Sequence, residues 1–249
     1  MRRISDTVKV LLIVNVIFFI GALGIGSYAS DQFFALWYPE NDNFQIWQII
    51  THMFMHGNET HIFFNLLVLY MFGSDLEYII GQKKFLFLYF SAGLGAAGLQ
   101  LLFHYIQFKY ALAEHLNAGL PMSNILEMLK EATVNRKYYS YTTIDVNITG
   151  SLINAFAVPM VGASGAISGV IAGFGILFWN RPLNLMFIPF PVKAKYLMAF
   201  YFVPDIIGGI SGQSMYGTTN IAHWAHIGGA IIGFITMWYW KKNSFNQNH

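Results

Sequence analysis

The sequence predicts an all-α, polytopic membrane protein of six spanning helices, with both termini on the inner side. Three observations predict it. Of 249 residues, 55% are hydrophobic and only 10% are charged, where a soluble domain carries about 25% charged residues; the mean hydropathy is +0.48. Six apolar stretches approach the roughly 20 residues that a helix needs to cross a bilayer. The basic residues between them fall in alternate connections, ten of the fourteen on one side, which sets the orientation.

The first stretch, about 8–28, is preceded or opened by Arg2, Arg3 and Lys9. It is about twice a typical signal-peptide h-region, so it reads as an uncleaved span despite Ser27, Ala29 and Ser30 near its end. Lys83 and Lys84 separate the second stretch, about 60–80, from the third, about 85–107. Arg181, Lys193 and Lys195 separate the fourth, about 163–179, from the fifth, about 194–210. Lys241 and Lys242 follow the sixth, about 222–240. The other side keeps Lys109, Lys130, Arg136 and Lys137, all in one long outer loop, about 108–150. The chain reads as a single membrane domain over 1–249, with its core at about 8–240. Its partner by composition is the lipid bilayer. No basic stripe or low-complexity tract points to nucleic acid, and the absence of cysteine excludes disulfides and thiol chemistry.

Three connections carry more than charge. In the loop about 29–51, Phe33, Phe34, Trp37, Tyr38, Phe44 and Trp47 interleave with Asp31, Glu40 and Asp42, a mixture suited to the membrane interface. In the long loop, residues 111–132 alternate apolar and polar groups at helical spacing, broken by Gly119-Leu120-Pro121, so one or two short surface helices are expected. Residues 151–161 are apolar yet contain Pro159. They read as irregular backbone at membrane depth, which is tolerated only inside protein or beside a water-filled cavity. That points to an indentation open to the outer side.

The chemistry centres on Gly162-Ala163-Ser164-Gly165. Pro159 disfavours helix in the residue before it and glycine permits a tight turn, so Ser164 is expected at a helix start. Unpaired N–H groups there are available to an anion. Counting inward gives 17 residues from Ser164 to Arg181, 15 from His226 to Lys241 and 18 from Asn65 to Lys83. At 1.5 Å per residue all three lie roughly 22–27 Å above the inner boundary. Gly165, Gly169 and Gly173, with Gly229 and Gly233, are small-xxx-small faces that let two of these helices approach closely. His226 is then the general base for Ser164. His61 and Asn65, one turn apart, are donors for an oxyanion. Asp205 counts nearer mid-membrane, as a structural group beside Pro204, so the expected arrangement is a dyad without a carboxylate. A metal site is not expected: HExxH is absent, and His56-x2-Glu59-x-His61 misses the inverted zinc pattern. His104, His115 and His249 look incidental. Ala166 breaks the GxSxG elbow of soluble hydrolases.

These residues make the chain resemble the rhomboid family of intramembrane serine proteases. His56, His61 and Asn65 are similar to the family's second-helix H-x4-H-x3-N pattern. Gly162-Ala163-Ser164-Gly165 is similar to its nucleophile motif, and Ala225-His226-Ile227-Gly228-Gly229 to its AHxxG motif. The resemblance covers the six-span core. It implies a rhomboid-like bundle, Ser164 as nucleophile, His226 as base, His61 and Asn65 in the oxyanion hole, and no cofactor. The implied substrates are single-span transmembrane proteins cut near the outer membrane surface, entering by the fifth span and the loop before the sixth. A non-proteolytic rhomboid-like protein that binds transmembrane helices is the alternative. The lack of an organelle-type leader suggests a bacterial inner membrane. Two positions depart from many members: Gln48 stands where they have arginine after Trp47, and Ser168 where they have an aromatic that stacks on the histidine. Oligomeric state, substrate identity and the role of the 108–150 loop are not written in the sequence.

Overall fold

The computed structural model describes residues 3–135, 145–183, 190–211 and 222–245. Arg2, Arg136, Lys137, His249 and the loop before the sixth stretch lie outside the described residues. The described chain is predominantly helical: α1 (Asp6–Ile25), α2 (Ser27–Phe34), α3 (Gln48–Thr51), α4 (Glu59–Val68), α5 (Ser74–Ile80), α6 (Gln82–Asn117), α7 (Met122–Asn135), α8 (Val146–Ala157), α9 (Ser164–Phe178), α10 (Ala194–Ser211) and α11 (His223–Phe245). Two short strands, β1 (Pro182–Leu183) and β2 (Val192–Lys193), pair antiparallel before α10. A π-helical turn over Leu69–Gly73 joins α4 to α5. Among the described residues, three helical stretches are long and apolar enough to cross a membrane: Asp6–Ile25, Glu59–Ile80 and Gln82–Asn117. α9 is a shorter apolar helix of 15 residues. α10 and α11, with 18 and 23 residues, have the length, but Lys195 and Asp205 dilute the one, and His223, His226, Lys241 and Lys242 the other.

At the centre, α6, α9 and α11 meet through small residues. A side chain at Gly165 would strike Ala96, and one at Gly169 would strike Ala92. Gly229 faces the Gly165 carbonyl, and Gly233 the Gly169 backbone. Without a hydrophobic drive between helices in lipid, such close approach maximises dispersion contact. Leu69, Leu76, Phe85, Leu88, Val170 and Phe174 fill the remaining space. α1 rides outside, with Ile13, Ile17, Ile20 and Leu23 exposed, as expected of a lipid-facing surface. Its first turn is held by Glu77, whose carboxylate accepts the Thr7 and Val8 N–H groups at 3.2 and 3.1 Å and the Ser5 hydroxyl. These are donors that a helix start leaves unpaired. Nearby, Arg181 pairs with Asp75 at 2.9 Å, and Lys241 donates to the Ile176 carbonyl at 3.0 Å.

The described residues of the region expected as a long loop form a packed layer. α6 continues ten residues beyond the predicted span, and α7 occupies the stretch expected to form surface helices. Together with α8 they close over a second cluster that includes Tyr38, Phe108, Ile125, Leu129 and Leu152. α8 corrects the expectation for residues 151–161: as far as Ala157 they are helical. Pro159 restrains only its immediate predecessor, and Asp145 caps the helix by accepting from the Asn147 N–H at 2.7 Å. His115 is not incidental to this layer. It is fully buried, and its Nε2 lies 3.1 Å from Thr149 Oγ1, joining α6 to α8.

Candidate active site

Ser164 opens α9, as the glycine and proline signals predict. The backbone leading to it is irregular but satisfied. Met160 and Leu36 exchange both backbone hydrogen bonds, at 2.8 and 2.9 Å, and the Gly162 N–H donates to the His52 carbonyl at 2.9 Å. Gly162 has φ 128°, a conformation open mainly to glycine. A Cβ there would lie 2.9 Å from the His61 imidazole and 3.4 Å from Ser164 Oγ. The glycine thus turns the chain into the helix and lets His61 lie beside the serine.

His226 sits in the first turn of α11, its Nε2 2.8 Å from Ser164 Oγ. Two features fix that distance. The glycine contacts bring α9 and α11 together, and Gln100 of α6 holds the start of α11 by accepting the Ala225 N–H at 3.1 Å. The Gln100 amide in turn lies 2.6 Å from His104 Nε2, so His104 steadies the glutamine. His61 lies in the first turn of α4, where the Asn58 side chain accepts its N–H at 2.8 Å. Asn65, one turn on, is buried with its Nδ2 unpartnered, a spare donor on the same helix face. A cleft of about 10 Å³ beside Ser164 is lined by His52, Met160, Gly162 and Ala225, among others, room for about one water.

The structure corrects the expectation that no carboxylate reaches this layer. Asp205 of α10 places Oδ2 2.8 Å from His226 Nδ1 and Oδ1 2.7 Å from His223 Nδ1. Asp205 is 3% exposed and His223 8%. A carboxylate oxygen accepts, so both contacts are the kind that an imidazole with its proton on Nδ1 makes by donating. Counting residues from the basic end ranks backbones; a carboxylate and an imidazole together bridge the few ångströms by which the count sets Asp205 apart. The available signal was His223, one turn before His226, a second polar group needing a partner at the same depth.

The two departures from the family pattern also find their reasons. Ser168 is buried, donates to the Ser164 carbonyl at 2.8 Å and lies 3.2 Å from the Tyr201 hydroxyl. The Tyr201 ring is 5.9 Å from the His226 ring at an interplanar angle of 36°. The aromatic neighbour of the histidine therefore comes from α10 rather than from α9. Gln48 is fully buried. It accepts from the Trp37 and Gln45 N–H groups at 3.4 and 3.1 Å, and donates to the Gln32 and Asn43 carbonyls at 2.9 Å each. One side chain thus ties together the segment from Gln32 to Gln45.

The neighbouring histidines belong to this shell. His52 donates to the Gln48 carbonyl at 2.7 Å, and burial pushes its pKa down to about 4. Burial, with His61 alongside, pushes His56 down to about 3. Among the described residues no three His, Asp or Glu side chains converge as a metal-ligand set.

Comparison with known proteins gives a consistent result. Residues 43–111 and 118–243 match the family model described as Rhomboid domain. The chain is 25% identical over 238 residues to Rhomboid-like protein 11, chloroplastic, of Arabidopsis thaliana, covering 92% of this chain and 66% of that protein. It is 28% identical over 188 residues to Rhomboid protease AarA of Providencia stuartii, covering 75% and 53%. It is 27% identical over 157 residues to Rhomboid protease GlpG of Haemophilus influenzae, covering 61% and 79%. Against the first two of these curated relatives the chain spans 66% and 53% of their length.

Proposed function

The chain belongs to the rhomboid family, and from that membership we propose that it is an intramembrane serine endopeptidase that cuts transmembrane-helix substrates near the outer membrane surface. The observation that carries the reading is the 2.8 Å approach of His226 Nε2 to Ser164 Oγ. His226 takes the hydroxyl proton as Oγ attacks the scissile carbonyl, and the carbonyl electron pair moves to oxygen. His61, the spare Asn65 amide and the N–H groups at the start of α9 stabilise that oxyanion. The C–N bond then breaks as His226 returns the proton to the leaving amine. Water, activated by the same histidine, releases the acyl group and regenerates Ser164. No cofactor takes part.

The proposal includes one membrane domain of six spans, with both termini inside. The spans are α1, the α4–α5 rod, α6, α9, α10 and α11. Because the chain has no cysteine, single introduced cysteines report topology directly. Leu120→Cys is expected to label from outside and Leu183→Cys only from inside. A multi-pass membrane location follows from the family. Its relatives include chloroplastic and mitochondrial proteins, and a bacterial inner membrane is the proposed home of this chain.

Cleavage of a model single-span substrate in proteoliposomes tests the function. Wild type is expected to cut, and Ser164→Ala and His226→Ala to lose cleavage while remaining folded, with chelator making no difference. Cleavage that survives Ser164→Ala overturns the serine mechanism. A wild type that binds such helices without cutting any of them, and fails to react with a fluorophosphonate, replaces it with the helix-binding alternative.

A further inference from the structure

The polar face of α10 has no part in a serine–histidine dyad, yet it is built around His226. Tyr201, Asp205 and Gly208 recur at helical spacing and share one side of α10. The Tyr201 ring lies beside the His226 ring, 5.9 Å away. Asp205 joins His226 and His223 through its two oxygens. A Cβ at Gly208 would lie 2.5 Å from His223 Nε2, so the glycine admits that imidazole. A buried carboxylate is costly unless it is paired and hydrogen-bonded, most of all within a membrane helix. A group serving only to join α10 to α11 could take any partner along that interface; this one takes the imidazole that faces the nucleophile.

We propose, on the footing of the serine-protease reading, that Asp205 is a positioning residue that converts the dyad into a Ser164–His226–Asp205 triad, with His223 holding the carboxylate in place. Asp205 does not touch substrate. By accepting from Nδ1–H it keeps His226 in the tautomer whose Nε2 is free to receive the Ser164 proton. It also lies against the positive charge that the imidazole gains when that transfer occurs. The proton moves only between Ser164 Oγ, His226 Nε2 and the leaving amine; Nδ1–H stays on His226 throughout. His223 occupies the second oxygen and so stops the carboxylate from rotating away. A carboxylate replaced by its amide in another serine protease, with geometry intact, costs about 10⁴ in kcat through the wrong tautomer.

The experiment is Asp205→Asn in the full chain, read in four ways. Proteoliposome kinetics with the single-span substrate are expected to show kcat lowered about a thousandfold or more, with KM within about threefold. Labelling of Ser164 by a fluorophosphonate is expected to slow in parallel, and thermal unfolding in detergent to change little. Asp205→Glu is expected to recover part of the rate, and His223→Asn to lose about tenfold. Nitrogen NMR of the wild-type imidazoles is expected to show His226 as the Nδ1–H tautomer, a readout independent of any variant's folding. An Asp205→Asn enzyme within threefold of wild-type kcat, or a wild-type His226 carrying its proton on Nε2, overturns the proposal. Residual cleavage in Ser164→Ala instead overturns the serine-protease reading beneath it, so the two failures are separable.

Discussion

α9 and α10 both present functional groups to α11, by opposite means. α9 meets it backbone to backbone: Gly229 faces the Gly165 carbonyl and Gly233 the Gly169 backbone. α10 meets it through side chains, Asp205 and Tyr201, while its other faces expose Phe200, Val203, Ile206, Ile207 and Ile210. Backbone contact leaves no rotamer to adjust, so the spacing of the two helices that carry Ser164 and His226 is a property of the scaffold. The α10 contacts depend on rotamers and are correspondingly open to adjustment. The pair that performs the proposed bond chemistry thus sits on the rigid contact, and the groups that orient the histidine sit on the adjustable one.

Breaking the rigid side is expected to have the largest effect. Gly229→Val drives a branched side chain into the Gly165 backbone. Overpacking costs about 1–3 kcal/mol even where side chains can yield, so both folded yield and cleavage are expected to collapse together. A Gly229→Val protein that melts and cleaves like wild type would break the comparison.

A titration examines the same side. His52 supplies the carbonyl that holds Gly162, and its pKa stands at about 4, below the roughly 6.5 of an unfolded histidine. Between those values the unfolded chain binds more protons, so stability rises with pH through that window. Thermal unfolding in detergent is expected to show stability falling as pH drops from 6.5 to 4, with His52→Gln flattening the slope. An unchanged slope in His52→Gln would remove His52 from the account.

The adjustable side is expected to respond in rate rather than in stability. Tyr201→Leu should lower kcat about tenfold, a cost of about 1.4 kcal/mol, with little change in melting temperature. Ser168→Phe alone should destabilise, because Ser168 is buried against Tyr201, and adding Tyr201→Ala should restore folding. The smallest effect belongs to neither side. Lys109 and Glu40, 46% and 54% exposed at 3.5 Å, form a surface pair of the kind worth less than about 1 kcal/mol. Lys109→Ala should leave both stability and rate unchanged, which sets the baseline for the other comparisons.

The sequence carried the parts that depend on local physics. Hydropathy located α1, α4–α5, α6, α9, α10 and α11, the Pro159–Gly162 segment located the start of α9, and the glycine spacing foretold its contact with α11. Counting from the basic end brought Ser164 and His226 to one layer, where the structure joins them. What stayed illegible depends on side chains meeting across helices. Asp205 looked too deep because a residue count follows backbones and ignores side-chain reach. Tyr201 carries no motif, since its importance lies in the volume that Ser168 leaves. Gln48 looked like a lost arginine until its four hydrogen bonds could be counted. α8 is hidden in the sequence by Pro159, which restrains only the residue before it and leaves the helix intact as far as Ala157.

The ring beside His226 also restricts how such a chain can drift over generations. Positions 168 and 201 share one volume from two helices, so a lineage cannot move the aromatic between them in a single substitution. One route passes through an ancestor with two rings in a space for one, the other through an ancestor with none. The first is penalised in folding and the second in rate, so the exchange is expected to be rare and, once made, held. Among descendants of a chain like this one, a small residue at position 168 and tyrosine at position 201 should be inherited as a unit.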